Sequence, residues 1–155
     1  MAEKTRALSA LRGTPHDVLK YSPSQDNFGE HSAAELELDP AAVLKTLVIT
    51  GPANALALCC VPVSGHLSLK RAAKELGWKR AEMAEPARAQ RATGYVVGGI
   101  SPLGTLTTLP TLLDASVAAL PAVTVSAGQR GLSVRLAPGD LAALTKARFA
   151  GISSS

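Results

Sequence analysis

The sequence predicts an α+β domain with a curved mixed β-sheet, and three observations indicate this fold class. The chain has 155 residues, 46% of them hydrophobic, which suffices for one domain with a buried core. Short apolar runs typical of strands, separated by Pro or Gly, lie both before and after a central segment. In that segment, from Leu67, the apolar pattern changes to that of an amphipathic helix. We therefore expect a single domain over residues 1–155, with its core at about 14–150.

The N-terminal part is expected to hold two short helices around an edge strand. Residues 2–12 predict a helix that ends at Gly13. The apolar run 18–21 predicts an edge strand, and the polar segment 22–27 a loop. A second short helix is expected over 32–38.

Two longer strands follow, over residues 44–50 and 56–63. The Gly-Pro-Ala-Asn sequence at 51–54 favours a hairpin-like connection between them. Cys59 and Cys60 are adjacent in the second strand, so their side chains point to opposite faces and cannot easily pair with each other. We expect two reduced, buried thiols that pack as small hydrophobic residues.

The clearest helical pattern lies between Ser68 and Gly77. Apolar residues recur there at positions i, i+3, i+4 and i+7, and charged residues occupy the other face. Ser68 is a suitable N-cap, and Gly77 a suitable end. A second helix is expected over 86–92, where Pro86 occupies the first turn.

The C-terminal part is expected to consist of short strands and one closing helix. The helix starts at Asp140 and continues to Phe149. The strands are expected at 95–97, 105–108, 111–114, 122–126 and 132–136.

Positive charge is concentrated in residues 70–91. The whole chain has 16 basic and 12 acidic residues, and this segment alone has seven basic and three acidic ones. It therefore holds the entire net charge of +4. Such a surface suits a polyanion such as tRNA, and a solvated helix face is an equally good explanation of the charge alone.

Other classes of protein are disfavoured. The chain has no run of 18 apolar residues and no secretory signal pattern, so we expect a cytoplasmic protein without a membrane partner. His16, His31 and His66 lack the spacing of metal ligands, so neither a metal nor another cofactor is expected.

Lys45 is an unusual residue within an apolar strand. It lies two positions from Val43 and from Leu47, so the three side chains share one face of the strand. If that face is interior, the ammonium group needs a ligand or a polar partner to offset its desolvation. The alternative is a lysine whose tip extends into water.

A glycine-containing loop, Gly98 to Pro102, follows the strand that is expected at 95–97. Paired glycines allow unusual backbone conformations and let N–H groups approach a ligand. Pro102 fixes its own φ angle and restricts Ser101. The alternative is a plain turn.

Several short motifs occur in order between about residue 21 and about residue 149. They are Phe28-Gly29, residues 43–47, 61–65, 82–84, 90–95 and 98–102, Leu109-Pro110, Asp114 and residues 129–132. Together they resemble those of the YbaK/EbsC family of free-standing aminoacyl-tRNA deacylases, some of which clear Cys-tRNA(Pro). They also resemble the editing domain inserted in bacterial prolyl-tRNA synthetases. The resemblance implies a closed or nearly closed barrel-like sheet surrounded by helices.

The resemblance also implies a set of site residues. Lys45 and Gly99 are the expected catalytic positions, with Lys45 holding the aminoacyl ester at the 3′ end of a tRNA. The charge distribution, and not the resemblance, is the basis for expecting contacts to tRNA from Lys70, Arg71, Lys74, Lys79 and Arg80. The remaining substrate-binding positions are Tyr21, Phe28, Thr46, Gly98, Ile100, Ser101, Pro102, Ser126 and Gly128.

The expected function is hydrolysis of mischarged aminoacyl-tRNA in trans, with Cys-tRNA(Pro) as the leading substrate. No Ser-His-Asp order or nucleophile elbow is present, and the activated ester needs only orientation and electrostatic stabilisation. Ser133 departs from relatives that carry an acidic residue there, which leaves alanine or another amino acid as an alternative. A noncatalytic tRNA-binding or synthetase-associated module is a further alternative. The expected partners are mischarged tRNA and prolyl-tRNA synthetase, with no DNA.

Overall fold

The computed structural model describes residues 4–21 and 38–154. Within these residues four α-helices and three sheets are present. The helices are α1 (Arg6–Ala10), α2 (Leu69–Leu76), α3 (Pro86–Thr93) and α4 (Pro138–Thr145). The strands are β1 (Asp17–Lys20), β2 (Leu44–Thr50), β3 (Leu56–Pro62), β4 (His66–Leu67), β5 (Glu82–Met83), β6 (Thr111–Asp114), β7 (Val123–Gln129), β8 (Leu132–Leu136), β9 (Arg148–Ala150) and β10 (Ser153–Ser154).

The largest sheet is mixed and has the strand order β5-β2-β3-β6-β9. Strand β2 is antiparallel to β3 and to β5, whereas β3 with β6 and β6 with β9 are parallel pairs. The expected hairpin is therefore present, with Ala53 and Asn54 at positive φ in its turn. The prediction of an α+β fold with a mixed sheet is confirmed.

A second sheet has the order β1-β8-β7 and is antiparallel throughout. A single parallel bridge between Val43 and Thr124 brings the start of β2 beside β7. The third sheet is the short pair β10-β4. The strands of the described residues do not close into a barrel, so the barrel shape implied by the resemblance is not confirmed.

Helix α2 begins and ends where the sequence predicts, and α3 begins where predicted. The Ser68 hydroxyl accepts a hydrogen bond from the Arg71 N–H at 3.2 Å, and Gly77 ends α2 in the left-handed region with φ of 73°. Gly94 ends α3 in the same way, one residue later than expected. The apolar face of α2 packs on the large sheet through buried Ala72.

The strands predicted at 95–97 and 105–108 are absent, and both predictions were wrong. The backbone N–H groups of Leu106 and Thr107 donate to carbonyls in the last turn of α3, which keeps them out of any sheet. The Gly98–Pro102 loop consequently follows a helix and a turn, not a strand.

The C-terminal prediction was right in part. Helix α4 begins at Pro138 and ends at Thr145, where Lys146 adopts φ of 56°. Residues 148–150 then form the parallel edge strand β9 beside β6, which the helical interpretation missed. The prediction of a helix from Asp140 to Phe149 treated two elements as one.

The N-terminal predictions have mixed outcomes. Helix α1 and strand β1 are present, although α1 is shorter than the predicted 2–12. The loop at 22–27 lies outside the described residues, as do residues 32–37 of the predicted second helix, and Leu38 is not helical.

Asp114, at the end of β6, anchors the C-terminal segment. Its carboxylate accepts hydrogen bonds from the N–H groups of Ile152 and Ser153 at 3.1 and 3.0 Å. Cys59 and Cys60, in the neighbouring strand, are buried and unpaired by a disulfide, as predicted. Over residues 4–21 and 38–154, the longest apolar helical stretch is too short to span a bilayer.

Candidate functional site

A cavity of about 430 Å³ lies between the start of β2, the β7–β8 pair and the loop after α3. Its wall is mostly apolar, and Lys45 is the cation among its described lining residues. Across the described parts of the chain, no three His, Cys, Asp or Glu side chains gather as they would around a metal ion. The lining residues are Tyr21, Val43, Leu44, Lys45, Thr46, Leu47, Val48, Val63, Met83, Ala84, Pro86, Ala89, Val97, Gly98, Ile100, Thr124, Val125, Ser126 and Ser133.

Lys45 is half-buried in β2 and lines this cavity. Its ammonium group makes no hydrogen bond or ion pair with any residue in 4–21 or 38–154. Thr46 also lines the cavity, and its hydroxyl lies 3.6 Å from the Cys60 sulfur. A cation held by a strand at the wall of an apolar cavity can attract the oxygen of a carbonyl or of an anion.

Strand register places Lys45 beside two serines. The parallel bridge of Val43 with Thr124 puts Lys45 level with Ser126, two residues further along each strand. Ser126 is in turn the direct partner of Ser133 across β7 and β8. A cation and two hydroxyls therefore lie in one row across three strands, and all three line the cavity.

Gly128 supports Ser126 without lining the cavity. Its N–H donates to the Ser126 hydroxyl oxygen at 3.2 Å, where β7 is bulged. It has φ of 100°, and a Cβ atom there would lie 2.8 Å from the Tyr95 ring. The glycine is needed for the shape of the bulge, and its effect on the cavity passes through Ser126.

The glycine loop divides into residues that face the cavity and residues that do not. Gly98, with φ of 91°, and Ile100 line the cavity. Gly99 faces away from it, because a Cβ atom at Gly99 would lie 2.9 Å from the Gln129 Cα. Close packing on the β7–β8 turn is therefore one reason for this glycine, and its approach to a ligand stays a prediction.

Ser101 and Pro102 are buried behind the cavity wall. The Ser101 hydroxyl accepts a hydrogen bond from the Leu103 N–H at 3.2 Å, so it stabilises the loop. Neither residue is among those that line the cavity. Tyr21 does line it, and its N–H donates to the Gly131 carbonyl at 3.0 Å. Phe28 lies outside the described residues.

Several residues of the wall are not among the predicted site residues. Thr124 precedes Ser126 by two positions on the same face of β7, so strand alternation could have indicated it. Met83 and Val63 lie in two of the motifs that carry the family resemblance, 82–84 and 61–65, but their place in the wall depends on the tertiary fold.

The basic segment lies on α2 and on the residues after it. Lys70, Lys74 and Lys79 are exposed, as is Arg80. Arg71 is exposed as well, and its guanidinium donates to the Ser153 carbonyl at 2.6 Å. The positions predicted to contact tRNA thus share one solvent-facing region, with the Arg71 side chain also tied to the C-terminal strand.

Comparisons with known proteins agree on one family. The model of the aminoacyl-tRNA editing domain matches residues 23–144. A protein of Enterococcus faecalis is 33% identical in sequence to this chain. The alignment covers 98% of this chain and 94% of the Enterococcus protein. It carries the provisional name Cys-tRNA(Pro)/Cys-tRNA(Cys) deacylase EbsC.

Two crystal structures have the same fold. One, of a protein provisionally described as a trans-editing enzyme for prolyl tRNA synthetase, has a TM-score of 0.85 and 26% identity, covering 97% of this chain and 96% of that one. The other, of the hypothetical protein APE2540, has a TM-score of 0.87 at 20% identity and covers 97% and 100% of the two chains. The family match, the relative and the shared fold lead to one conclusion: this chain belongs to the aminoacyl-tRNA editing domain family.

Proposed function

We propose that this protein is an aminoacyl-tRNA deacylase that hydrolyses mischarged tRNA in trans, with Cys-tRNA(Pro) as the leading substrate. The observation that carries the proposal is the cavity of about 430 Å³ with the Lys45 ammonium at its wall. The provisional name of the Enterococcus faecalis relative supports the choice of cysteine. Membership of the editing domain family supports the class of reaction.

In this proposal Lys45 acts on the ester carbonyl. Its ammonium group stabilises the negative charge that develops on the carbonyl oxygen when the ester is attacked. The apolar wall strengthens this interaction because it keeps the local dielectric low. Ser126, level with Lys45, orients the same end of the substrate, and Gly98 and Ile100 confine it from the other side.

The attacking group depends on the amino acid. For a cysteinyl ester, the substrate's own thiol loses its proton and attacks the carbonyl carbon. A cyclic thioester forms, the bond to the ribose oxygen breaks, and the tRNA leaves as the alcohol after taking up a proton. For an alanyl ester a positioned water or a ribose hydroxyl takes the place of the thiol. In both cases the protein contributes orientation and charge stabilisation.

The wider features are part of the same proposal. The exposed cations of residues 70–80 bind the phosphates of the tRNA body, and prolyl-tRNA synthetase is a further partner. The proposal also includes one domain over residues 1–155 with its core at about 14–150, and a barrel-like arrangement of the sheets, which is supported by the parallel bridge of Val43 with Thr124. The cytoplasmic location stays a prediction.

A deacylation panel tests the proposal. The purified protein is incubated with Cys-, Ala-, Ser- and Pro-tRNA(Pro), and the loss of the aminoacyl ester is followed over time. We expect release of cysteine first, and no comparable release from correctly charged Pro-tRNA(Pro). Release of alanine alone would instead identify the protein as a deacylase for tRNA mischarged with alanine. Binding of all four without release would identify a noncatalytic module.

A further inference from the structure

We propose that Thr124 and Ser133 form the subsite for the amino acid side chain and select a side chain with a hydrogen-bonding atom at the γ position. Cysteine, serine and threonine meet this requirement, whereas alanine and 2-aminobutyrate do not. The inference rests on the proposed deacylase function, since it concerns the substrate of the same cavity. It goes beyond that function because it assigns the choice of amino acid to two residues.

Both residues are nearly fully buried, yet their hydroxyls have no hydrogen-bond partner in the described parts of the chain. Thr124 is 3% exposed and Ser133 is 4% exposed. Within residues 4–21 and 38–154, neither hydroxyl makes a hydrogen bond. In that same part of the chain, every side-chain oxygen that is sealed from solvent has a partner. The two hydroxyl oxygens must therefore open onto the cavity that both residues line.

The position of Thr124 and Ser133 suits the side chain of the esterified amino acid. Thr124 and Ser126 point to the same face of β7, and Ser133 lies directly opposite Ser126 on β8. Lys45 lies on the other side of Ser126. If the ammonium of Lys45 binds the ester carbonyl, the two open hydroxyls are a few bonds away, where the side chain of the amino acid begins.

The α-ammonium group of the substrate is the main competitor for these hydroxyls, and the charges disfavour it. The described lining residues include no carboxylate, and Lys45 repels a second cation in an apolar cavity. An ammonium group is better solvated at the open mouth of the cavity, whereas a neutral side chain can enter. The hydroxyls can donate to, and accept from, an Oγ or Sγ atom.

An apolar side chain would displace water from the two hydroxyls and leave both without a hydrogen bond. Sites that contain buried hydrogen-bonding groups reject analogues that cannot pair with them. We expect a preference of about 10- to 100-fold for serine over 2-aminobutyrate. These two amino acids have side chains of similar size and differ by a hydroxyl in place of a methyl group.

The test measures binding, so that thiol chemistry does not affect it. Non-hydrolysable adenosine 3′-amides of serine, cysteine, 2-aminobutyrate and alanine are titrated into the protein by calorimetry. The seryl and cysteinyl amides should bind about 10- to 100-fold more tightly than the 2-aminobutyryl amide. Equal affinities, or no binding of any amide, would overturn the inference. A failure of deacylation with a retained binding preference would instead remove only the proposed function.

Two variants assign the preference to its residues. Thr124→Val keeps the shape of the side chain, and Ser133→Ala removes only the hydroxyl oxygen. Each should weaken binding of the seryl and cysteinyl amides and leave the 2-aminobutyryl and alanyl amides unchanged. Thr111→Val is the matched control, because Thr111 is buried outside the cavity. Equal weakening of all four amides would show that the hydroxyls bind the ammonium or the ribose, which contradicts the proposal.

Discussion

Ser126 and Ser133 are direct partners across β7 and β8, and both line one cavity. Because of this pairing, two short polar side chains face a mostly apolar space next to the Lys45 ammonium. The residue that departs from the family pattern, Ser133, is thus part of the wall, where a change of side chain alters what the cavity can hold.

Replacing Lys45 tests the electrostatic role of its ammonium group. Lys45→Ala should lower kcat/KM for deacylation by about 10²- to 10³-fold, the usual effect of losing one group that stabilises an oxyanion. Lys45→Arg should also be impaired, because the planar guanidinium is larger. The thermal unfolding of both variants should stay near that of the parent protein.

Lys4→Ala is the matched control, since Lys4 is exposed and lies outside the cavity. It should retain full activity. A folded Lys45→Ala variant with near-normal turnover would remove Lys45 from the mechanism.

Substitution of Gly99 should reduce stability as well as activity. A methyl group would come within 2.9 Å of the Gln129 Cα and 3.0 Å of the Arg130 nitrogen, both of which are backbone atoms. Such overpacking typically costs about 1–3 kcal/mol. Urea unfolding of Gly99→Ala measures the loss.

Gly139→Ala is the control for Gly99→Ala, because no heavy atom lies within 4 Å of its added methyl group. It lies in the first turn of α4 and should be neutral or slightly stabilising. If Gly99→Ala were as stable as this control but inactive, the result would contradict the packing role and support the prediction that the loop backbone approaches the substrate.

Charge reversal on the basic segment tests the path of the tRNA. Changing Lys70, Lys74 and Lys79 to Glu should weaken tRNA binding and flatten its dependence on salt, by about one unit of slope at most for each lost phosphate contact. Cleavage of an aminoacylated 3′-end mimic should not change, because the mimic reaches only the cavity.

The control reverses three exposed cations elsewhere, Lys4, Arg12 and Lys146, so that the net charge changes equally. This variant should bind tRNA more tightly than the reversal on the basic segment does. Equal losses in both variants would mean that net charge, and not this surface, sets the affinity.

Asp114 should make stability depend on pH in the acidic range. Burial alone would raise the pKa of its carboxyl group, but hydrogen bonds from Ser116, Ser153 and Ile152 outweigh burial and lower the pKa below 3.8. A carboxyl group whose pKa is lower in the folded state stabilises the fold at pH values above 3.8. That contribution is lost as the pH falls through the folded-state pKa.

Urea unfolding between pH 7 and pH 3 tests this expectation. Asp114→Asn should be less stable than the parent protein at pH 7, and the difference should shrink toward pH 3. A difference that stays constant with pH would show that the charge of Asp114 is unimportant.

The two thiols should be unreactive in the folded protein. Burial raises the pKa of both thiols to about 12. For Cys59 the neighbouring Cys60 adds to this effect. Since the thiolate is the reactive form, alkylation at pH 8 should be slow in buffer and rapid in urea. Rapid labelling of either cysteine in buffer would place it at an accessible surface.

Local patterns predicted much of this fold. The sequence predicts the bounds of β2, β6 and β8 as the structure has them, because each is a short apolar run between residues that break strands. The residues that cap α2 are likewise indicated by the local sequence. The strands at 95–97 and 105–108 were mispredicted because several of their N–H groups pair with residues of α3, contacts that apolar residues alone do not indicate.

The candidate site was predictable to a lesser extent. Lys45 and Gly98 stand out as residue types that packing alone does not require, and both line the cavity. The sequence around Thr124 does not indicate a site residue, because threonine is common in strands. Its relevance depends on its bridge to Val43, which joins residues far apart in sequence.

The pairing of distant segments has a consequence for biosynthesis. Strand β1 pairs with β8, and the Thr5 hydroxyl donates to the Ala127 carbonyl at 2.6 Å. The last parallel pair, β6 with β9, needs residues up to Ala150. The emerging chain can therefore form the β2–β3 hairpin early, but the pairs β1–β8, β7–β8 and β6–β9 must wait until residues 132–150 have left the ribosome. Until then the apolar residues of β6 and β7 that are buried in the folded protein stay exposed to water, which makes the unfinished chain prone to aggregation.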